Sequence, residues 1–249
     1  MNYSKINNKN LTALREENIS RLTSYEITTE HQEYLVYKSY HNDLFSCLLK
    51  YSKGRLLDIG CGNKPYATIV NDVVNEYIGC DIVQSSEQKV DILCEATNIK
   101  EPDESFDTII STQTIEHISE HQLVINEAYR LLRRGGYFII SGPMYWPLHE
   151  EPYDFFRFTK FGFRHILEKA GFHVIEERSN GGKWALCGQV LIHTIIPDLY
   201  IHNTFSWKAF RIIFRLLGGV KFLNNLFYRM DKKYPNSTNT MNYVFVSQK

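Results

Sequence analysis

A chain of 249 residues can bury a substantial core as one large or two small domains. Its 28 basic and 28 acidic side chains balance, so no overall field attracts it to nucleic acid, and we expect no nucleic-acid partner. No run of about 18 apolar residues could span a bilayer, and the segment "MNYSKINNKN" has no apolar signal region, so we expect a cytoplasmic protein.

The N-terminal part of the sequence predicts helices. The segment "LTALREEN" (11–18) is helical in character, and residues 26–51 contain no glycine or proline. Residues 26–51 therefore predict one or two helices that end before Gly54. We interpret residues 1–53 as a helical cap and residues 54–249 as a single domain.

Strands and helices then alternate along the chain. The clearest helical pattern covers residues 120–134, which Gly135 and Gly136 are expected to end. Continuous apolar strands that alternate with helices indicate a parallel sheet covered on both faces, that is, an α/β doubly wound domain. The segments that predict these strands are short, apolar and rich in β-branched residues: 55–60, 76–82, 90–94, 106–112 and 136–142.

The C-terminal part continues this pattern and then departs from it. Thr159 is expected to cap a helix that Gly171 ends, and residues 172–179 predict the next strand. Residues 184–235 predict a mainly helical insertion before a last strand at residues 241–249.

The segment "LLDIGCGNKPY" joins a strand end to a glycine-rich turn. Gly60 and Gly62 allow a sharp turn against which a ligand can lie. Asn63 is expected to cap a helix whose first turn holds Pro65. A dinucleotide site would carry a third glycine where Pro65 stands, so the segment disfavours NAD.

Two acidic residues accompany this turn. Asp58 places negative charge at the end of the first strand, so a cationic ligand fits better than a pyrophosphate. Asp81 ends the second strand about twenty residues beyond the glycines, where an acid in such folds accepts hydrogen bonds from ribose hydroxyls.

Five segments in this order resemble the class I S-adenosylmethionine-dependent methyltransferases of the type 11 kind: "LLDIGCG", "CDI", "EATNI", "SFDTIISTQTIEHI" and "EAYRLLRRGGYFIISGP". The match covers about residues 54–180 and the last strand. The resemblance implies a Rossmann-like, seven-stranded mixed sheet, mainly parallel with an antiparallel last strand. It also implies S-adenosylmethionine as the cofactor.

The resemblance further implies a role for each cofactor-binding position. Asp58, Gly60 and Gly62 would line the methionine end of the cofactor, and Asp81 would hold its ribose. Glu95 departs from the commoner aspartate, although its longer side chain can still accept from the adenine amino group. The positions around the adenine would be Ile82 against the ring, Glu95 and Ala96 at its edge, and Gln113 closing the site.

The methyl acceptor must enter over the carboxyl ends of the fourth and fifth strands. Alignment of the acceptor supplies more of the acceleration than a general base does. His149, whose ordinary pKa near ~6.5 leaves it mostly neutral, is the first candidate for the base, and His117 is the second. This part of the sequence also resembles, more weakly, methyltransferases that modify bacterial surface polysaccharides and other glycans.

The segment "HEEPYDFFRFTKFGF" follows the fifth strand and mixes acids with aromatic rings. Asp154 and Arg157 either form an ion pair that fixes this loop or bind substrate hydroxyls. An alternative is a lid whose rings merely cover the cofactor. The rings that offer flat faces to a sugar or an apolar acceptor are Tyr145, Trp146, Tyr153 and Phe155.

A metal site is not expected from the sequence. His117 and His121 stand four residues apart, as two ligands on one helix face would. No third ligand is evident, so we interpret the pair as a solvated helix face and predict no metal.

Residues 207–233 carry seven Lys or Arg side chains against one Asp. Phe210, Ile213, Phe214 and Leu217 recur at helical spacing, which predicts an amphipathic basic helix. Its apolar face either packs on the domain or on a homodimer partner, or it contacts an anionic membrane surface.

These features together predict an enzyme that uses S-adenosylmethionine to methylate a hydroxyl of a sugar or glycan intermediate. Two alternatives stay open at this point. One is N-, C- or O-methylation of an apolar small molecule such as a quinone precursor. The other is a non-catalytic subunit that binds the cofactor and a partner.

Overall fold

The computed structural model describes residues 27–202 and 204–249, so the helix expected at residues 11–18 lies outside the described residues. The helices are α1 (Tyr34–Tyr51), α2 (Ala67–Val70), α3 (His121–Leu131), α4 (Lys160–Lys169), α5 (Lys183–Ile201), α6 (Phe205–Leu216) and α7 (Gly219–Lys233). The strands are β1 (Arg55–Ile59), β2 (Glu76–Asp81), β3 (Ile92–Leu93), β4 (Phe106–Thr112), β5 (Leu132–Pro143), β6 (His173–Asn180) and β7 (Asn242–Gln248).

The described chain divides into two compact units. The first contains Leu44–Arg178 and Tyr243–Lys249, and the second contains Ser179–Asn242 together with the first part of α1, up to Asp43. Helix α1 therefore contributes residues to both units. The division of the chain at residue 53 stays a prediction.

The strands form one seven-stranded sheet in the order β3-β2-β1-β4-β5-β7-β6. Strand β1 pairs in parallel with β2 and β4, and the pairs β2–β3 and β4–β5 are parallel too. The Gly135 N–H donates to the Lys249 carbonyl at 2.8 Å, and the Lys249 N–H donates to the Gly136 carbonyl at 3.2 Å. The start of β5 thus pairs with the chain end, so β7 runs antiparallel to β5. The predicted mixed, mainly parallel Rossmann-like sheet is confirmed.

The central strands are continuous apolar runs because both of their faces are buried. Leu56 and Leu57 of β1 are fully buried, as are Ile109 and Ile110 of β4. Because β1, β2, β4 and β5 run in parallel, their carboxyl ends meet at one edge of the sheet. That edge carries the segments that the sequence marks as functional.

The start of α4 follows the sequence, whereas the end of α3 does not. Thr159 caps α4, since its Oγ1 accepts from the Gly162 N–H at 3.1 Å. Helix α3 ends at Leu131, before the two glycines that were expected to end it. Leu132 is fully buried and pairs with Phe106, so β5 begins immediately after the helix.

The expectation that Asn63 caps a helix is wrong. Helix α2 begins at Ala67, and Tyr66 occupies its N-cap position. The Asn63 side chain instead accepts from the Glu87 N–H at 3.3 Å. The chain turns at Lys64, whose φ is +53°, and this turn separates Asn63 from the helix.

The second unit contains the predicted helical insertion. Asp231 of α7 caps α5, because its carboxylate accepts from the N–H groups of Gly182, Trp184 and Ala185 at 2.9, 3.1 and 3.1 Å. The amphipathic segment 207–233 forms two helices rather than one, since the chain breaks at Gly218 with a φ of +93°. Among the described residues, none of the helices has the length and apolar character needed to cross a membrane.

Candidate functional site

The glycine-rich turn after β1 lies against the ends of two other strands. The N–H groups of Gly60 and Cys61 donate to the Cys80 carbonyl at 2.9 and 3.1 Å, which ties the turn to β2. Gly60 has a φ of +77°, and a Cβ at this position would lie 2.3 Å from Thr114 Oγ1, just beyond β4. Both the conformation and the lack of space therefore require glycine here.

Asp58 is a buried carboxylate beneath this turn. Its Oδ2 accepts from the Tyr77 hydroxyl at 2.5 Å, while its Oδ1 has no hydrogen-bond partner among the described residues. Burial raises the pKa of Asp58 to about 7, and the Asp81 carboxylate adds to this effect. The position is therefore suited to a cationic ligand that would favour the charged carboxylate.

Asp81 stands beside the glycine turn at the end of β2. Its Oδ2 accepts from the Gly62 N–H at 3.2 Å, and its Oδ1 accepts from the Ile82 N–H at 2.7 Å. These two backbone donors orient the carboxylate at the carboxyl edge of the sheet. The structure thus brings together Asp58, Gly60, Gly62 and Asp81, as the sequence predicted for one ligand.

The remaining predicted cofactor positions follow the ends of the next strands. Ile82 exposes 53% of its surface, Glu95 is exposed and Ala96 is half-buried. Gln113 adopts a φ of +51°, and its side-chain Nε2 donates to Ser141 Oγ at 3.1 Å, which links β4 to β5. An exposed isoleucine next to Asp81 leaves an apolar surface where a flat ring can lie.

Arg157 fixes the conformation of the loop after β5. Its guanidinium pairs with both oxygens of Asp154, at 2.6 and 2.7 Å. Its remaining donors reach the carbonyls of Trp146, Pro147 and Phe156 at 2.8 to 3.2 Å. All five guanidinium N–H groups are thus used within the loop. Of the two predicted roles for Arg157, the geometry favours fixing the loop over binding a substrate hydroxyl.

Asp154 also orients His149. The side chain of Asp154 is 1% exposed, and its Oδ2 accepts from the His149 backbone N–H at 3.1 Å and lies 3.2 Å from the imidazole Nδ1. Burial raises the pKa of Asp154, but the hydrogen bonds from Arg157 lower it by more, so the pKa is about 2. Burial lowers the pKa of His149, and the neighbouring His117 lowers it further, so the imidazole is neutral at pH 7.

The same loop is tied to the short 3-10 turn Ile115–His117 that follows β4. The Glu116 carbonyl accepts from the Phe155 N–H at 2.9 Å, and His117 Nδ1 lies 2.9 Å from the Tyr153 carbonyl. These contacts place the rings of His117 and His149 with their centroids 4.6 Å apart. The two predicted candidates for a base therefore belong to one cluster.

The interpretation of His117 as part of a solvated helix face is wrong. Its side chain is 5% exposed, and it lies in the 3-10 turn, whereas α3 begins only at His121. The two imidazoles therefore do not share one helix face. The His121 ring packs against Phe156 instead, with the ring centroids 4.5 Å apart.

Glu116 is the residue of this cluster that the sequence did not single out. It is 1% exposed, and burial raises its pKa to about 8. The only signal in the sequence is its position next to His117 at the end of β4. The predicted acceptor-side rings Tyr145, Trp146 and Tyr153 are half-buried, and Phe155 is 38% exposed.

Comparison with known proteins points to methyltransferases. Residues 57–140 match the family model of a methyltransferase domain, and this range holds Asp58, both glycines, Asp81 and Glu116. This part of the chain is thus similar to a methyltransferase domain, in line with its resemblance to the class I S-adenosylmethionine-dependent methyltransferases. The cofactor of this class is S-adenosylmethionine.

A relative with a similar sequence comes from Mycolicibacterium smegmatis and is named a probable S-adenosylmethionine-dependent methyltransferase. It is 30% identical over 151 residues, which cover 54% of this chain and 58% of that protein. The chain thus spans little more than half the length of this relative.

Two solved structures share the fold. One is the [4+2]-cyclase SpnF, with a TM-score of 0.57, 15% identity and coverage of 96% of this chain and 92% of that chain. The other is a chain of the complex between the Haloferax volcanii Trm112 methyltransferase activator and a methyltransferase, with a TM-score of 0.58, 15% identity and 96% coverage of both. At these identities the likeness concerns the fold alone.

Proposed function

We propose that the protein is an enzyme that transfers a methyl group from S-adenosylmethionine to a hydroxyl of a sugar or glycan intermediate. The observation that carries the proposal is the proximity of two functional sides. Thr114, against which Gly60 packs, lies two residues before Glu116 and three before His117. The residues proposed for the cofactor and those proposed for the acceptor therefore lie on either side of the short turn after β4, which supports the proposal.

The residues on the cofactor side fit S-adenosylmethionine. Asp58 offers a buried oxygen without a partner to a cationic group, and Gly60 lets a ligand approach the backbone. Asp81 would accept hydrogen bonds from the ribose, while Ile82, Glu95, Ala96 and Gln113 would surround the adenine. S-adenosylmethionine, when bound, supplies an electrophilic methyl group on a sulfonium centre.

The residues on the acceptor side would align and activate the hydroxyl. Tyr145, Trp146 and Tyr153 can stack on a sugar ring and exclude water, and Arg157 with Asp154 keeps their loop in place. A neutral imidazole of His149, oriented by Asp154, can take the hydroxyl proton, and His117 is the second candidate. Alignment of the acceptor contributes more to the rate than this proton transfer does.

Cofactor binding should depend on pH through Asp58. The pKa of about 7 lies above the ordinary value, so the folded protein without ligand holds this proton below pH 7. The α-ammonium group at the methionine end, which S-adenosylmethionine and S-adenosylhomocysteine share, would favour the charged carboxylate, so binding releases the proton. We expect the affinity for S-adenosylhomocysteine to be roughly tenfold weaker at pH 6 than at pH 8. Calorimetry at pH 6.5 in two buffers of different ionisation enthalpy measures the proton released.

The matched control for this experiment is Asp58→Asn, which keeps the shape of the side chain but cannot ionise. Its affinity should stay flat between pH 6 and 8, and its binding should release no proton. Equal proton release by the variant and the wild-type protein would show that Asp58 does not face the bound cation. Failure of the wild-type protein to bind either S-adenosylmethionine or S-adenosylhomocysteine would overturn the proposed function itself.

The acceptor is tested by methyl transfer from labelled S-adenosylmethionine into a glycan extract of cells that lack the gene. A glycan that gains the mass of one CH₂ group supports the proposal. If the label appears only in apolar extracts, the acceptor is an apolar small molecule instead. His149→Ala should lower turnover by about 10²–10⁴-fold with little change in cofactor affinity. Unchanged turnover would remove His149 from the reaction.

We further propose that the exposed apolar face of α6 contacts an anionic membrane surface. No residue of α6 is buried, and Phe205 and Leu216 are 88% and 81% exposed. Lys208, Arg211 and Arg215 lie on the same helix and can attract acidic lipid headgroups. Such contact would bring the enzyme to a lipid-linked glycan.

Vesicle sedimentation tests this membrane contact. We expect binding to vesicles that contain anionic lipid, weakening as salt rises, and loss of binding in a Phe205→Ser, Leu216→Ser variant. Phe161→Ser is the control, because Phe161 is 75% exposed in the other unit. If light scattering instead shows that the wild-type protein is a dimer and the double variant a monomer, the apolar face of α6 binds a second copy of the chain.

A further inference from the structure

The Glu116 carboxylate is buried, at 1% exposed, without a hydrogen-bond partner for either oxygen among the described residues. An ionised carboxylate buried in this way is strongly destabilised, so the group must hold a proton or meet a cation. Arg157 attracts the Glu116 charge electrostatically but makes no hydrogen bond to it, because its five donors are used within its own loop.

The His117 imidazole has a defined tautomer next to Glu116. The Tyr153 carbonyl lies 2.9 Å from Nδ1 and can only accept, so Nδ1 carries the proton. The lone pair is then on Nε2, and Nε2 is the atom that lies 4.0 Å from Glu116 Oε1. The imidazole therefore presents a nitrogen lone pair on the side of the buried carboxylate.

The His149 imidazole is held in the same way from the other side. Its Nδ1 lies 3.2 Å from Asp154 Oδ2, in a carboxylate that Arg157 keeps ionised, so Nδ1 donates and Nε2 carries the lone pair. Imidazoles that bind metals are usually oriented by a ring N–H bond to a carboxylate or a backbone carbonyl. His149 has the first kind of partner, and His117 has the second.

The three side chains are close enough to share one ion. Each offers a ligand atom, and these atoms all lie within 4.8 Å of one another. A tetrahedral zinc ion with bonds of about 2.1 Å places its ligands about 3.4 Å apart, which small rotations of these side chains can reach. Because His149 is 26% exposed, a further ligand can enter from its side.

We propose that Glu116, His117 and His149 bind one divalent transition-metal ion, with Zn²⁺ as the ion that two imidazoles and one carboxylate suit. The binding itself does not depend on methyl transfer. Its catalytic use rests on the proposed function: an acceptor hydroxyl on the open position of the ion would have a lowered pKa and would release its proton to solvent water. His149 would then serve as a ligand, and its lone pair would not take the proton.

The test is metal binding by the full chain without an affinity tag, after removal of metals with a chelator. We expect one Zn²⁺ per chain by calorimetry and by elemental analysis, and a visible absorption spectrum of a four- or five-coordinate ion when Co²⁺ is used. Glu116→Gln, His117→Ala and His149→Ala should each weaken Zn²⁺ binding by more than about 100-fold. Asp154→Asn, which keeps the three ligands but removes the anionic partner of His149, should weaken binding by about 10–100-fold.

His121→Ala is the matched control, because His121 is a neighbouring imidazole outside the cluster. The Zn²⁺ affinity of this variant should equal that of the wild-type protein. Glu116→Gln keeps the shape and removes a buried charge, so it should fold, and Zn²⁺ should raise the unfolding temperature of the wild-type protein but not of this variant. Less than one bound Zn²⁺ per chain in the wild-type protein, or unchanged affinity in Glu116→Gln, would overturn the proposal.

Binding of S-adenosylhomocysteine in the presence of chelator separates this inference from the proposed function. Stoichiometric Zn²⁺ without cofactor binding would support the metal site and contradict the methyltransferase activity. Cofactor binding without Zn²⁺ would support the activity, contradict the metal site and return the role of base to His149.

Discussion

Gly60→Ala should lower the free energy of unfolding by about 2–5 kcal/mol. A left-handed backbone costs an alanine about 1–2 kcal/mol, and a Cβ forced into a packed site costs about 1–3 kcal/mol more. At Gly60 both costs apply, since φ is +77° and the added Cβ would lie 2.3 Å from Thr114 Oγ1 and 2.4 Å from Thr114 Cγ2. The thermal unfolding midpoint should fall by roughly 5–15 °C.

Gly135→Ala separates the two costs. Gly135 has nearly the same φ, +76°, but a Cβ there would meet nothing within 4 Å. Its destabilisation should therefore be limited to the backbone cost of about 1–2 kcal/mol. The difference between the two variants measures the overlap with Thr114.

Thr114→Ala combined with Gly60→Ala should recover part of the stability lost to that overlap, because it removes the two nearest atoms, Oγ1 and Cγ2, and leaves only the Thr114 Cβ at 2.9 Å from the new Cβ. Equal destabilisation of Gly60→Ala and Gly135→Ala would contradict the close approach of the glycine turn to the segment after β4. That approach joins the proposed cofactor side to the proposed acceptor side.

The cofactor side of the fold was predictable because its signals are local. Strand β4 coincides with the predicted segment 106–112, whose isoleucines and threonines are β-branched and favour a strand. Asp58 and Asp81 stand at strand ends, and parallel pairing of β1 with β2 brings such ends together. Strand β3 is shorter than predicted, at two residues, and pairs only with β2 at the edge of the sheet.

The acceptor side was less predictable because it depends on contacts between distant parts of the chain. Glu116 resembles an ordinary acid at a strand end, and its surroundings form only when the loop at Tyr153 and Phe155 folds back on it. Spacing in sequence suggested His121 as the partner of His117, but the 3-10 turn and α3 are separate elements. The two roles left open for Arg157 could be weighed only once the partners of all five donors were known.

Arg157→Gln should lower the free energy of unfolding by about 3–5 kcal/mol, because it leaves the buried Asp154 carboxylate without its cation. The thermal midpoint should fall by roughly 6–15 °C. Arg134→Gln is the control: Arg134 is 91% exposed and lies 3.8 Å from Glu104, and such surface pairs contribute at most about 1 kcal/mol. Similar midpoints for the two variants would show that the loop does not depend on Arg157.

The loss of stability caused by Arg157→Gln should also depend on pH. In the wild-type protein the pKa of Asp154 is about 2, below the unfolded value near ~3.9, so its stabilisation is present above pH 4 and is lost as pH falls towards 2. Without Arg157, burial raises this pKa, and the variant gains stability as the carboxyl takes up a proton. The two unfolding midpoints should therefore converge between pH 7 and pH 3. Adding Asp154→Asn to the variant should remove the convergence, because no carboxyl then remains to titrate.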